Sequence, residues 1–97
     1  MTRLEQVRQH RQAILDAAHG LGVERIRIFG SVARGDDGPD SDVDFIVKMR
    51  PDMDVFALVD LQDQLQNILG CRVDVLTEHP WMRERLRREI EEAALEP

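Results

Sequence analysis

Apolar residues return at helical intervals near the start of the chain, at Leu4, Val7, Ile14, Ala18 and Leu21. Thr2 followed by Glu5 has the spacing of a capping box, so the pattern predicts one helix running to the HGLG turn. Gly20 or Gly22 would be its left-handed terminator. The period then changes to two. In ERIRIFG, Ile26 and Ile28 alternate with Arg25 and Arg27, which predicts a half-buried strand with the arginines outward, ending at Gly30. Ser31 to Arg34 reads as a short helical turn, and the GDDGPDS run after it is dense in turn formers. A second strand is expected in DVDFIVKM.

Beyond Pro51, the residues Val55, Leu58, Leu61, Leu65, Ile68 and Leu69 describe an amphipathic helix with Asp52 or Asp54 as its cap and Gly70 as its stop. CRVDVLT is the third strand. Pro80 suits the first position of a last helix, opened by Trp81 and Met82, in which Met82, Leu86, Ile90 and Ala94 share one face. The arginines and glutamates between them form its solvated side. The order α-β-(short α)-β-α-β-α predicts a small α/β domain spanning 1–97, with helices packed against a three-stranded mixed sheet.

Composition narrows the picture. A chain of 97 residues supports one core and no second lobe. No apolar run reaches the length of a membrane span and the polar N-terminus does not resemble a secretory signal, which points to the cytoplasm. Cys71 is the one cysteine, expected to be buried and inert. With a net charge of −6 and its basic residues scattered, the chain is not expected to bind nucleic acid directly. His10, His19 and His79 read as surface or satisfied residues, with His79 alone a candidate neighbour of a site.

The unusual feature is acids where an apolar strand begins. Asp42 and Asp44 are two apart, so both side chains leave one face of the strand, roughly 7 Å apart along the backbone. Asp74 between Val73 and Val75 repeats the pattern on the third strand, and if the two strands are neighbours the acids converge. Gathered carboxylates repel unless cations neutralise them, and oxygen ligands without nearby His or Cys select Mg²⁺ or Mn²⁺. Upstream, Gly30 and Ser31 stand where a strand feeds a helix, a place where free N–H groups and a hydroxyl hold phosphate oxygens. The two together are what a nucleoside triphosphate with Mg²⁺ requires. A Walker P-loop would need Lys where the chain has Asp36, and a calcium loop from Asp40 would need Gly and Glu where it has Phe45 and Pro51. A turn role accounts for Asp36, Asp37 and Asp40 but not for Asp44 inside an apolar strand.

In order along the chain, Gly30, Ser31, Arg34, Gly35, Asp42, Asp44 and Asp74 resemble the signature of the DNA polymerase beta-like nucleotidyltransferases, and specifically of the minimal nucleotidyltransferases. The resemblance implies the small nucleotidyltransferase fold. It implies that Gly30 and Ser31 hold the triphosphate of ATP, that Asp42 and Asp44 bind two Mg²⁺ ions, and that Asp74 completes the catalytic and metal site. Arg34 would contact phosphate or pair with an acid of the following loop. Relatives of this kind are antitoxins that transfer AMP to a tyrosine of a HEPN-domain toxin encoded by the adjacent gene, so a hetero-oligomer is implied. Two function classes follow: an enzyme that AMPylates its partner, or an antitoxin that neutralises the toxin by binding alone. Trp81 and Met82 would either anchor a partner or cover the edge of the domain's own core.

Overall fold

The computed structural model describes residues 2–38, 40–79 and 81–97. Helices α1 (Arg3–Gln9) and α2 (Arg11–Gly20) lead into β1 (Val23–Phe29), and the one-turn α3 (Gly30–Arg34) precedes β2 (Val43–Met49). Helix α4 (Phe56–Leu69), β3 (Val73–Thr77) and α5 (Glu84–Ala93) complete the chain. The sheet has the order β1-β2-β3, with β1 antiparallel and β3 parallel to β2. This is the three-stranded mixed sheet that the alternating periods predict.

Alternation along β2 divides the molecule. Val43, Phe45 and Val47 point to one face and are fully buried with Ile26, Ile28 and Val73 beneath Val7, Ile14, Ala18, Leu61 and Leu65 of the helices. Asp44, Ile46 and Lys48 point to the other face. The helix stops behave as their chemistry requires. Gly70 ends α4 in the left-handed region, and Gly22 rather than Gly20 takes the positive φ after α2. Asp54, the second of the two candidate caps, accepts a hydrogen bond from the Phe56 N–H at 2.9 Å.

Five expectations are corrected. The single first helix is divided at His10, whose N–H is shared between the carbonyls of Gln6 and Val7. Between Val7 and Ile14 the one apolar side chain, Ala13, is exposed, so none holds that turn against the core, and the backbone tightens there. Strand β2 begins at Val43, so Asp42 lies just ahead of the ladder rather than within it. Arg27 is not solvent-facing: it is 7% exposed and ion-paired with Glu78, because the second face of the sheet is itself partly covered. Cys71 is half-buried against the core edge rather than buried. Helix α5 starts at Glu84 after an extended Arg83, so Trp81 and Met82 precede it, and Ile90 alone of its apolar face is fully withdrawn from solvent. The expected start at Pro80 lies outside the described residues. Trp81 is 85% exposed and does not cover the core edge.

Among the described residues no helix is long and apolar enough to cross a membrane.

Candidate active site

Strand pairing brings the acids together. In the parallel register of β2 with β3, Asp44 stands opposite Asp74, and in the antiparallel register with β1 it stands opposite Phe29, the last residue before α3. One row across the sheet therefore carries two carboxylates and ends at the Gly30–Ser31 turn. The row lies on the face away from the main core, with Asp44 half-buried and Asp74 exposed.

Gly30 is held tightly against this row. Its φ is +74°, and a Cβ there would sit 2.5 Å from Asp44 Oδ2. Only glycine meets both constraints, the left-handed backbone and the absent methyl. Gly30→Ala is expected to destabilise the fold by about 1 to 2 kcal/mol as the added methyl displaces the Asp44 carboxylate. Denaturant titration checks this, and an alanine variant with wild-type stability would refute it. Phe29 contributes no side-chain cap to α3, so no side chain of that residue occupies the turn's first N–H groups.

The carboxyl of Asp44 is raised from its ordinary value, first by burial, then by Asp74 and then by Asp42, with Arg34 opposing. Asp42 therefore shares the electrostatic site although it stands outside the strand. Its Oδ1 is 3.8 Å from Arg72 Nε. Arg34 Nε is 3.2 Å from Asp36 Oδ2, the second of the two arrangements open to it, and the pair closes the loop behind α3.

Among the described residues no three His, Cys, Asp or Glu side chains stand close enough together to grip a metal ion as they are placed. The donor chemistry nonetheless suits Mg²⁺: three carboxylates, two of them in register, a carboxyl whose negative form is disfavoured by its like-charged neighbours, and no soft ligand. Arg72 was not anticipated from the sequence. Its place two residues before Asp74, just ahead of β3, is the signal that could have revealed it. Nothing in the local pattern announced that Arg27 and Glu78 would pair across 51 residues.

The family model described as Nucleotidyltransferase domain matches residues 7–96. The chain belongs to this family. Among curated relatives, the nucleotidyltransferase is 39% identical over 71 residues to a candidate protein adenylyltransferase of Methanocaldococcus jannaschii, covering 70% of this chain and 76% of the relative. Among solved structures, it superposes on a candidate minimal nucleotidyltransferase with a TM-score of 0.84 and 36% identity, covering 98% of this chain and 95% of the other. It also shares its fold with a Shewanella oneidensis complex of a tri-AMPylated HEPN toxin and its MNT antitoxin. There the TM-score is 0.64 at 18% identity, over 90% of this chain and 67% of that one. The small nucleotidyltransferase fold expected from Gly30, Ser31 and the acids is the fold observed, and the chain is a nucleotidyltransferase.

Proposed function

We propose that this nucleotidyltransferase transfers AMP from ATP to a tyrosine hydroxyl of a HEPN-domain toxin and thereby serves as the antitoxin of a cytoplasmic pair. The observation that carries the reading is the register of Asp44 with Asp74, one residue row from the Gly30–Ser31 turn. The adenylyltransferase name of a relative and the toxin complex of a structural neighbour support the nucleotide and the partner.

Gly30 and Ser31 hold the triphosphate through their N–H groups and the serine hydroxyl. Asp42, Asp44 and Asp74 would hold Mg²⁺, which when bound would supply positive charge to offset the charge that builds up in an in-line displacement. The acceptor oxygen forms a bond to the α-phosphorus as the bond to pyrophosphate breaks, and its proton passes to the Asp74 carboxylate. Asp74 suits that role because it is exposed, where an acceptor can reach it, while Asp44 is half-buried. Arg34, paired with Asp36, shapes the loop beside the phosphates. Little covalent chemistry falls to the protein, and positioning with charge neutralisation carries the rate.

The test is transfer of label from α-labelled ATP, with Mg²⁺, to the toxin encoded beside this chain. Wild type is expected to label the toxin, and a variant carrying Asp42→Asn with Asp44→Asn is not. If the two proteins form a stable complex that never takes label, the domain is an antitoxin that acts by binding alone and the catalytic reading is lost.

A further inference from the structure

A cavity of about 730 Å³, whose walls include Arg27, Glu78, Trp81 and Ile90, shares no residue with the acids, and the buried Ile46 separates it from them. The outer edge of the sheet adjoins them directly. Strand β3 is an edge strand and carries Asp74. Val43 N–H donates to the Arg72 carbonyl and Glu78 N–H to the Val47 carbonyl, so the even-numbered residues of β3 turn their main chain toward β2. Val73, Val75 and Thr77 therefore turn their N–H and C=O groups outward.

Helix α4 treats the two ends of this edge differently. At Val73 it closes the edge: Gln62 Nε2 donates to the Val73 carbonyl at 2.9 Å, and Val73 N–H donates to Gln66 Oε1 at 3.2 Å. The earlier glutamine meets the later group, so α4 runs back along β3. Continued at helical spacing, the stripe through Gln66 and Gln62 reaches Val59 and Val55. These lie roughly 5 and 11 Å from Gln62 along the helix, which sets them beside Val75 and Thr77, roughly 7 and 13 Å beyond Val73 along the strand. Neither valine can bond a backbone group. Among the described residues the outward main-chain groups of Val75 and Thr77 have no partner. Val55, Phe56 and Val59 are 67%, 71% and 56% exposed, and Leu76, on the acid face two residues from Asp74, is 47% exposed. An unpaired edge with open apolar side chains on both faces is a template for one more strand.

Charge decides what that strand is. In the two-fold register that uses both open residues, Val75 of each copy pairs with Thr77 of the other, and Asp74 of each then stands opposite Glu78 of the other. Like charges directly opposite destabilise such a pair, so a second copy of this chain does not suit the edge. From Pro51 to Cys71 the chain carries Asp52, Asp54, Asp60 and Asp63 and no Lys, Arg or His. Asp60 and Asp63 are exposed next to the apolar stripe, and Asp74 is exposed at the strand. The complement is a segment with both apolar and basic side chains.

The geometry points to the open half of the β3 edge as the place where the acceptor protein lays down an extended, basic and apolar segment as a fourth strand. Its side chains on one face cover Val55, Phe56 and Val59, and its cations meet Asp60 and Asp63. Gln62 and Gln66 end the pairing at Val73, so the segment leaves the edge beside Asp74 and brings its hydroxyl to the acids there. The inference rests on the AMP-transfer reading and names how that site holds its acceptor.

Residue-resolved hydrogen exchange of the full chain, alone and with the toxin encoded beside it, reads the edge directly. The amides of Val75 and Thr77 should exchange freely in the chain alone and about tenfold more slowly or less in the complex. Thr77→Pro removes an outward N–H that makes no bond within the fold. It should raise the toxin concentration needed for half-maximal transfer about fivefold, the worth of one main-chain hydrogen bond, and leave the KM for ATP unchanged. Val59→Arg, a change at an exposed side chain, should raise that toxin concentration about tenfold or more by setting a cation against a basic segment. A complex that takes label while both amides stay unprotected overturns this docking site alone, as do variants with a wild-type requirement for toxin. So does a free chain that is already a dimer protected at Val75 and Thr77, which gives the edge to a second copy. If the toxin takes no label, bound or unbound, the AMP-transfer reading falls and this inference with it.

Discussion

Asp44→Asn is expected to lower the rate of AMP transfer about 10³-fold or more while raising the melting temperature of the protein by a few degrees. Both effects have one origin. The Asp44 carboxyl is raised from its ordinary value by burial and by the neighbouring charges of Asp74 and Asp42, so the folded protein holds its proton more tightly than the unfolded chain does. A raised carboxyl contributes stability that is complete below its unfolded pKa and disappears as the pH climbs through its folded pKa. Above its folded pKa the wild-type protein has therefore lost that contribution. Asparagine keeps the shape of the protonated acid at every pH, and so keeps the stability, but cannot neutralise a cation.

Melting curves at several pH values, followed by circular dichroism, separate the two proteins. The variant's advantage should grow as the pH rises above the ordinary carboxylate range and shrink on acidification toward it. Added Mg²⁺ should raise the melting temperature of the wild type and leave Asp44→Asn unmoved, since only a site that binds the ion in the folded state gains stability from it. An asparagine variant that melts below wild type at neutral pH would show that Asp44 stabilises the fold, and the charge conflict inferred at this row would be wrong.

The neighbouring residue fails in the opposite way. Phe45→Ala should destabilise the protein by about 3 to 5 kcal/mol, a large share of the roughly 5 to 15 kcal/mol that holds a domain of this size together. Phe45 is fully buried in the central strand, and its ring lies in the cluster that joins the sheet to α1, α2 and α4. Phe45→Leu keeps most of that volume and should cost less than about 1.5 kcal/mol. Urea midpoints measured in the absence of nucleotide read both values. Equal midpoints for alanine and wild type would mean that this face of β2 is not the core. Two adjacent residues on one strand thus have opposite signs in a stability assay, because alternation sends one ring into the helices and one carboxylate to the other, partly covered face.

Much of the site was legible locally. Gly30 next to Ser31, and acids two apart at the start of an apolar strand, are patterns whose meaning depends on short-range geometry alone. Strand period, turn chemistry and the stops at Gly70 and at one of Gly20 and Gly22 are decided within a few residues, and the sequence predicts them because no distant partner has a say. The convergence of Asp74 on Asp44 was conditional. It required β3 to lie beside β2 in a parallel register, which the helical crossover through α4 allows but alternation by itself does not dictate.

What the chain determined by itself is therefore the set of elements, the face of β2 that is buried and the kinds of residue available for phosphate and cation. What only the tertiary structure decided is which of those residues meet. Arg27 reads as a solvated arginine in an alternating strand, yet it is buried beside Glu78, because the chain beyond β3 returns over the second face of the sheet. Trp81 reads as the first turn of a helix, yet it stands exposed beside the cavity, because Arg83 is extended and α5 begins after it. In both cases the deciding contact joins segments far apart in the chain, and a hydrophobic pattern records which side of an element is buried, not which distant segment buries it.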